Sequence, residues 1–191
     1  MTQSGSIMWC GRRVSKDEPS YMRYMEEKEH YRLIPSRSWD QHCFGCSPSN
    51  RAGLKMQFYT DEKSVFSWVK VPEHLCGWNR LVHGGVISTI LDEVMGWSAI
   101  HLHKIIVLTK SMTIDFVRPI FVNDELKAEG RVTKFHNDGE VIICGTLHNG
   151  RRELCAKSTG TFSYFPPATI KEMGIMEDDF LRDFEEYMKK K

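Results

Sequence analysis

The sequence predicts an α+β fold in which an antiparallel sheet wraps around one central helix, with extra helices near the N- and C-terminal ends. Two observations carry this. A single long helical stretch, Gly84 to about His101, is apolar or small on both of its faces. After it come four β-prone stretches, separated by turns at Asn123-Asp124, His136 to Gly139 and Asn149-Gly150. Short turns of this kind join neighbouring strands in antiparallel order.

The elements are justified in chain order. Met1 to Lys16 is a loose leader, and Asp17-Glu18-Pro19 is a helix start, with acids and a proline in the first turn. A short charged surface helix is then expected over Tyr21 to Arg32, ended near Pro35. Gly45, Pro48, Asn50 and Gly53 make Cys43 to Gly53 a turn-rich loop. Leu54, Met56 and Phe58 alternate with polar neighbours, Asp61 to Lys63 turns the chain, and Val65 to Val71 returns, which reads as a hairpin. The central helix follows an irregular stretch, Pro72 to Val82. The later strands are placed at Ile105–Arg118, Glu125–Phe135, Glu140–His148 and Glu153–Phe165. Pro166-Pro167 closes the sheet, and Ile170, Met173, Phe180, Phe184 and Tyr187 mark one face of a final amphipathic helix. The organisation expected is a leader and helix over 1–42, the sheet-and-helix domain over 43–167, and a C-terminal helix over 168–191.

Bulk properties narrow the function. With 41% apolar and 27% charged residues the chain is an ordinary globular protein rather than a disordered one. A formal net charge of +1 argues against a dedicated nucleic-acid binder, whose affinity depends on a basic excess. The first twenty residues hold no apolar signal-peptide core. No stretch reaches the ~18 apolar residues that span a bilayer. Six cysteines without a secretion signal fit reduced thiols in a cytosol. The expectation is a cytoplasmic protein with no membrane partner.

The central helix holds the chemistry. On a wheel of about 100° per residue, Val86, Ile87, Ile90, Leu91, Val94, Trp97 and Ser98 fill one sector. Ser88, Asp92, Met95, Gly96 and Ala99 fill the opposite one. A carboxylate among such neighbours costs several kcal/mol unless it is paired or used. Asp92 is therefore the leading acid, with small side chains leaving room beside it. Glu93 points about 100° away. The structural alternative is an ion pair with an Arg or Lys of a neighbouring strand. His83-Gly84-Gly85 opens the helix, where backbone N–H groups and the helix dipole suit a developing oxyanion. One such donor is typically worth ~3–4 kcal/mol to a transition state.

The run Val82-His83-Gly84-Gly85-Val86-Ile87-Ser88-Thr89-Ile90-Leu91-Asp92-Glu93 resembles the signature of hotdog-fold acyl-CoA thioesterases of the phenylacetate-degradation (PaaI-like) type. In that family a His-Gly-Gly turn opens the hotdog helix and an acid follows nine residues after the His, as Asp92 follows His83. Cys43-Phe44-Gly45-Cys46 with Gly53-Leu54, Gly77-Trp78 through Val82, and Thr109 through Pro119 extend the resemblance over roughly Cys43 to Phe165. It implies a hotdog fold and hydrolysis of an acyl-CoA, or related acyl thioester, to free acid and thiol. Asp92 would act as general base or nucleophile, with the Gly84 N–H, alone or together with Gly85, as oxyanion donor. Thr109 would be a positioning hydroxyl placed across a subunit interface. His83, Gly85, Asn79, Glu93 and Arg118 are the further substrate-binding candidates. No cofactor is implied beyond the coenzyme A of the substrate. Relatives form dimers, often paired into tetramers, with the active site at the dimer interface. The chain departs from the pattern at Gly77, where many relatives carry an Asn six residues before the His; Asn79 is displaced from it by two.

Other readings stay open. His83 is read as an orienting residue rather than a base. Arg118, Lys110, Arg151 and Arg152 could meet CoA phosphates or could simply be solvated. Trp68, Trp78, Trp97, Phe116 and Phe162 could line an acyl pocket or pack the core. Cys43-x-x-Cys46 beside His42 invites zinc, but a structural zinc needs four ligands and no second cysteine pair is present. No metal is therefore expected. Two rival functions use the same groove: a hotdog hydratase or dehydratase, and a non-catalytic acyl-CoA-binding sensor.

Overall fold

A computed structural model of the chain describes residues 27–35 and 42–189. Seven strands form one antiparallel sheet: β1 (Arg32–Leu33), β2 (Phe58–Thr60), β3 (Val65–Lys70), β4 (Ile106–Phe116), β5 (Glu125–Phe135), β6 (Glu140–Asn149) and β7 (Leu154–Phe165). Their order across the sheet is β1-β2-β3-β5-β6-β7-β4. Helix α1 (Gly84–His103) packs on the inner face and touches β3 through β7. Two helices, α2 (Pro167–Glu172) and α3 (Asp178–Lys189), follow the last strand. This is the hotdog fold that the sequence predicts.

Helix and sheet meet through a dry core. Ile90, Leu91, Val94, Met95 and Ala99 of α1 are fully buried, as are Leu126, Ala128, Val141, Ile143 and Leu147 of the sheet. Each such large apolar side chain contributes roughly 1.5–3 kcal/mol. The closest approach is at Gly130 of β5, where a Cβ would lie 2.2 Å from the Val94 carbonyl oxygen. Only glycine lets the helix backbone lie so near the strand. Lys104, in the left-handed region at φ 57°, ends α1 and turns the chain into β4.

The four long strands stand within two residues of their expected bounds. Three expectations need correction. The helix placed over Tyr21 to Arg32 ends sooner: residues 21–26 lie outside the described residues, and Arg32–Leu33 is a strand paired with Thr60 and Tyr59. Ile34 continues it, donating its N–H to Phe58 O at 2.8 Å and burying its side chain. Tertiary pairing overrides local helix propensity there. The first hairpin strand starts at Phe58, not Leu54, because the Leu54 and Met56 N–H groups bond instead to Phe44 O and Gly45 O, each at 2.9 Å. The C-terminal helix is two helices, interrupted near Gly174 at φ +63°. Ile170, Leu181 and Phe184 still share one apolar cluster with Ile106, whereas Met173 is exposed. No helix among the described residues is long and apolar enough to cross a membrane.

Candidate active site

The opening turn of α1 is built by His83. It is the N-cap, extended at φ −62° and ψ 137°, and its Nδ1 accepts the Gly85 N–H at 2.9 Å. Its carbonyl accepts the Val86 and Ile87 N–H groups at 2.9 and 3.2 Å. Its ring thus serves to hold the turn. The Gly84 N–H makes no hydrogen bond to any described residue. Phe116 stands over this turn, 3.7 Å from where a Gly84 Cβ would be. The pair of glycines is thus divided: the Gly85 donor is engaged by His83, and the Gly84 donor is not.

Two turns along, Ser88, Asp92 and Gly96 line one face of α1, spaced four residues apart and half-buried. A Cβ on Gly96 would meet nothing within 4 Å, so the space beside Asp92 is open. Thr109 reaches this face from the edge strand, and its Oγ1–H donates to Asp92 Oδ1 at 2.6 Å. A β-bulge makes that contact possible. Thr109 pairs with Phe162 and Ser111 with Thr161, which leaves Lys110 as the extra residue. Paired residues share a face, so Thr109 lies on the same side as buried Phe162, and Met112, opposite Gly160, follows on that side after the bulge. Without the bulge, strand alternation would place Thr109 and Met112 on opposite faces. The contact between Thr109 and Asp92 lies within one chain.

Asp92 makes no ion pair with a described residue, so the salt-bridge alternative finds no partner there. A half-buried carboxylate held by one hydroxyl and facing open space can take a proton from a bound water or attack a carbonyl.

The other candidates lie elsewhere. Glu93 turns to the opposite side of α1 and accepts from the Cys43 thiol at 3.1 Å. Arg118 lies past the end of β4, nine residues from Thr109, with Nη1 on Leu154 O at 2.8 Å. Asn79 is exposed on a tight turn at φ 51°, flanked by the Gly77 N–H to Leu81 O bond of 2.8 Å. Gly77 lies against the His83 backbone, where a Cβ would come within 3.3 Å of His83 Cα; the position that holds Asn in many relatives is crowded here. Lys110 pairs with Glu140, and Arg152 with Glu27 at 3.7 Å.

Among the aromatic candidates, Phe162 is core, Trp97 stacks on Phe58 at 5.0 Å, and Trp68 packs against Tyr31 and Tyr59. Trp78, at 86% exposure, and Phe116, at 56%, remain free to meet a ligand or partner. Exposed Val117 and Phe121 extend that apolar surface. Sequence reading missed both, since nothing in an apolar run says which members the fold leaves uncovered.

Comparison with known proteins agrees with this geometry. Residues 79–138, from the turn before α1 to the end of β5, match the family model of the thioesterase superfamily. Over 106 residues the chain is 26% identical to an acyl-coenzyme A thioesterase, THEM4, of Rattus norvegicus. That match covers 56% of this chain and 45% of the rat protein, so the chain spans under half the length of this curated relative. A crystal structure of a thioesterase superfamily protein superimposes with a TM-score of 0.60 at 20% identity, covering 78% of this chain and 81% of the other. The PaaI protein from the phenylacetic acid degradation operon of E. coli gives 0.54 at 18% identity, over 59% and 81%. A Streptococcus mutans protein bound to acetyl-CoA gives 0.54 at 22%, over 58% and 88%. A helix-wrapped sheet opening its helix on this signature defines a hotdog-fold protein. The fold is that of the hotdog thioesterase structures, and residues 79–138 carry the match to the thioesterase superfamily.

Proposed function

We propose that this protein hydrolyses an acyl-CoA thioester to a free acid and coenzyme A, with Asp92 as the catalytic carboxylate. The observation that carries this reading is the pairing of Asp92 with Thr109 on an open face of α1, without an ion pair to any described residue. Thr109 orients the carboxylate through Oδ1. The other oxygen either deprotonates the attacking water or adds to the carbonyl to form a mixed anhydride; both routes use the ionised acid. Eight helical residues, about 12 Å along the axis, separate Gly84 from Asp92, so the Gly84 N–H that receives the developing oxyanion, without a partner among the described residues, is proposed to come from a second copy of the chain. His83 keeps that turn in place through Gly85. The Arg118 guanidinium, exposed at the end of the edge strand, is the cation proposed for a CoA phosphate.

The family match and the thioesterase relatives support this chemistry, and one structural neighbour holds acetyl-CoA. No cofactor is proposed beyond the CoA moiety of the substrate. A second copy of the chain is the proposed partner. β4 is a long edge strand, and an edge of eleven residues that no described strand pairs is a ready template for another chain. Trp78, Phe116, Val117 and Phe121 add exposed apolar surface that such a partner would cover. The proposed compartment is a reducing cytosol, which suits described cysteines that form no disulfide with one another.

The test is a thiol-release assay over short, long and aromatic acyl-CoAs, with sedimentation in the same buffer. Release of free CoA and acid in equal amounts, by a dimer or a dimer of dimers, is expected. Hydration of an enoyl-CoA without thiol release would replace this reading with the hydratase. Tight acyl-CoA binding with no turnover would replace it with the sensor.

A further inference from the structure

The loop before β2 and the side of α1 facing away from Asp92 bring together three metal-ligating groups that play no part in the proposed hydrolysis. The Cys43 Sγ, the Cys46 Sγ and a Glu93 carboxylate oxygen all lie within 4.8 Å of one another. Donors on a tetrahedral zinc ion sit about 3.8 Å apart for Zn–S bonds of ~2.3 Å. The three groups would draw together by up to about 1 Å to seat an ion. From this juxtaposition we propose that Cys43, Cys46 and Glu93 bind one zinc ion, with water in the fourth position.

Three features of the loop support a ligating role. The Cys46 N–H points at the Cys43 Sγ, 3.4 Å away, which holds that sulfur in place within the loop. The Cys43 thiol already faces the carboxylate at 3.1 Å, so its proton lies where the metal would replace it. Gly45, between the cysteines, makes room for the acid: a Cβ there would fall 2.3 Å from Glu93 Cγ. The loop is also held in place, since Phe44 O and Gly45 O accept the Leu54 and Met56 N–H groups and Cys43 O accepts the Ser47 N–H at 3.3 Å. All three groups are half-buried, which lets an ion enter and keeps a water on it. Two sulfurs with one carboxylate favour zinc over magnesium or calcium, which prefer all-oxygen sites.

The cysteine pair alone gave no such reading, because zinc needs more ligands than two thiols. The third ligand comes from a residue fifty positions away that the fold returns to the loop. Binding displaces one proton from each thiol to solvent, so affinity falls as pH falls. The ion would tie the loop to α1 at the residue next to Asp92, which makes its role structural. It stands apart from the hydrolysis proposed above and is tested without substrate.

The full chain is stripped of metal under a phosphine reductant and titrated with Co²⁺, then with Zn²⁺. One equivalent of Co²⁺ is expected, with a near-ultraviolet thiolate-to-cobalt band, displaced by Zn²⁺. Zinc should also raise the melting temperature of the stripped protein. Glu93→Gln should weaken cobalt binding by more than the ~10–100-fold that loss of an outer-sphere partner costs. Cys43→Ser with Cys46→Ser should abolish the band. Absence of a stoichiometric thiolate band in the wild-type protein would overturn the proposal by itself, whether or not the variants fold. So would a band that survives the double serine variant.

Discussion

At the level of single residues, Asp92 is distinguished from Glu93 by what the fold places opposite each. Adjacent positions on a helix point about 100° apart. One acid faces Thr109 and open space; the other faces two thiols. Helical spacing showed that the two acids could not share a site, and the His83 spacing selected Asp92. What each would meet depends on a bulge at Lys110 and on a loop fifty residues upstream, and local sequence encodes neither contact. The same holds at the helix start, where the Gly84 and Gly85 donors look equivalent until His83 is seen to engage one of them. The Thr109 hydroxyl should matter by the worth of a hydrogen bond to a charged group, about 1.5–3 kcal/mol. Thr109→Val is accordingly expected to lower kcat about tenfold or more, and Thr109→Ser to keep most of it, in steady-state thiol release. A Val variant with wild-type kcat would remove Thr109 from the site.

At the level of elements, the strands after α1 were legible because each buries one face and is bounded by Asn, Asp or Gly turns. Residues 32–34 were not, since a two-residue edge strand has no period to read and owes its form to pairing with β2. The split between α2 and α3 has a local cause, Gly174, but the apolar spacing runs across it and suggests one helix. The seating of α1 on β5 is sharper than any pattern implies. Gly130→Ala would drive a methyl group into the Val94 carbonyl, at 2.2 Å, and rigid backbone cannot yield as a side chain can. Overpacked cores typically lose ~1–3 kcal/mol. This variant is expected to lose at least ~2 kcal/mol in urea unfolding, with its m-value unchanged. Wild-type stability would show that α1 sits farther from the sheet.

At the level of the whole molecule, the sheet ends on a two-residue strand, β1, at one edge and on the long strand β4 at the other. α3 packs Leu181 and Phe184 against Ile106 at the start of β4. At β4, Thr109 meets Asp92 of α1, Phe116 is exposed, and no strand among the described residues pairs with the outer edge. Asp92 lies about 12 Å along the helix axis from the Gly84 N–H, so a thioester that meets both is proposed to lie between two copies of the chain. The hotdog architecture was legible from one doubly apolar helix followed by four strands. The open edge was not, because strand order depends on where the first strand after the helix returns. Asp92 is where the helix, the edge strand and the proposed chemistry meet.

The most direct test of that convergence compares thiol release by the wild-type protein and Asp92→Asn at saturating acyl-CoA, with substrate affinity measured in parallel. The substitution keeps the shape and the contact with Thr109 but removes the charge. A fall in kcat of ~10²-fold or more, with substrate still bound, is expected for a catalytic carboxylate. Near-normal turnover in Asp92→Asn would contradict it.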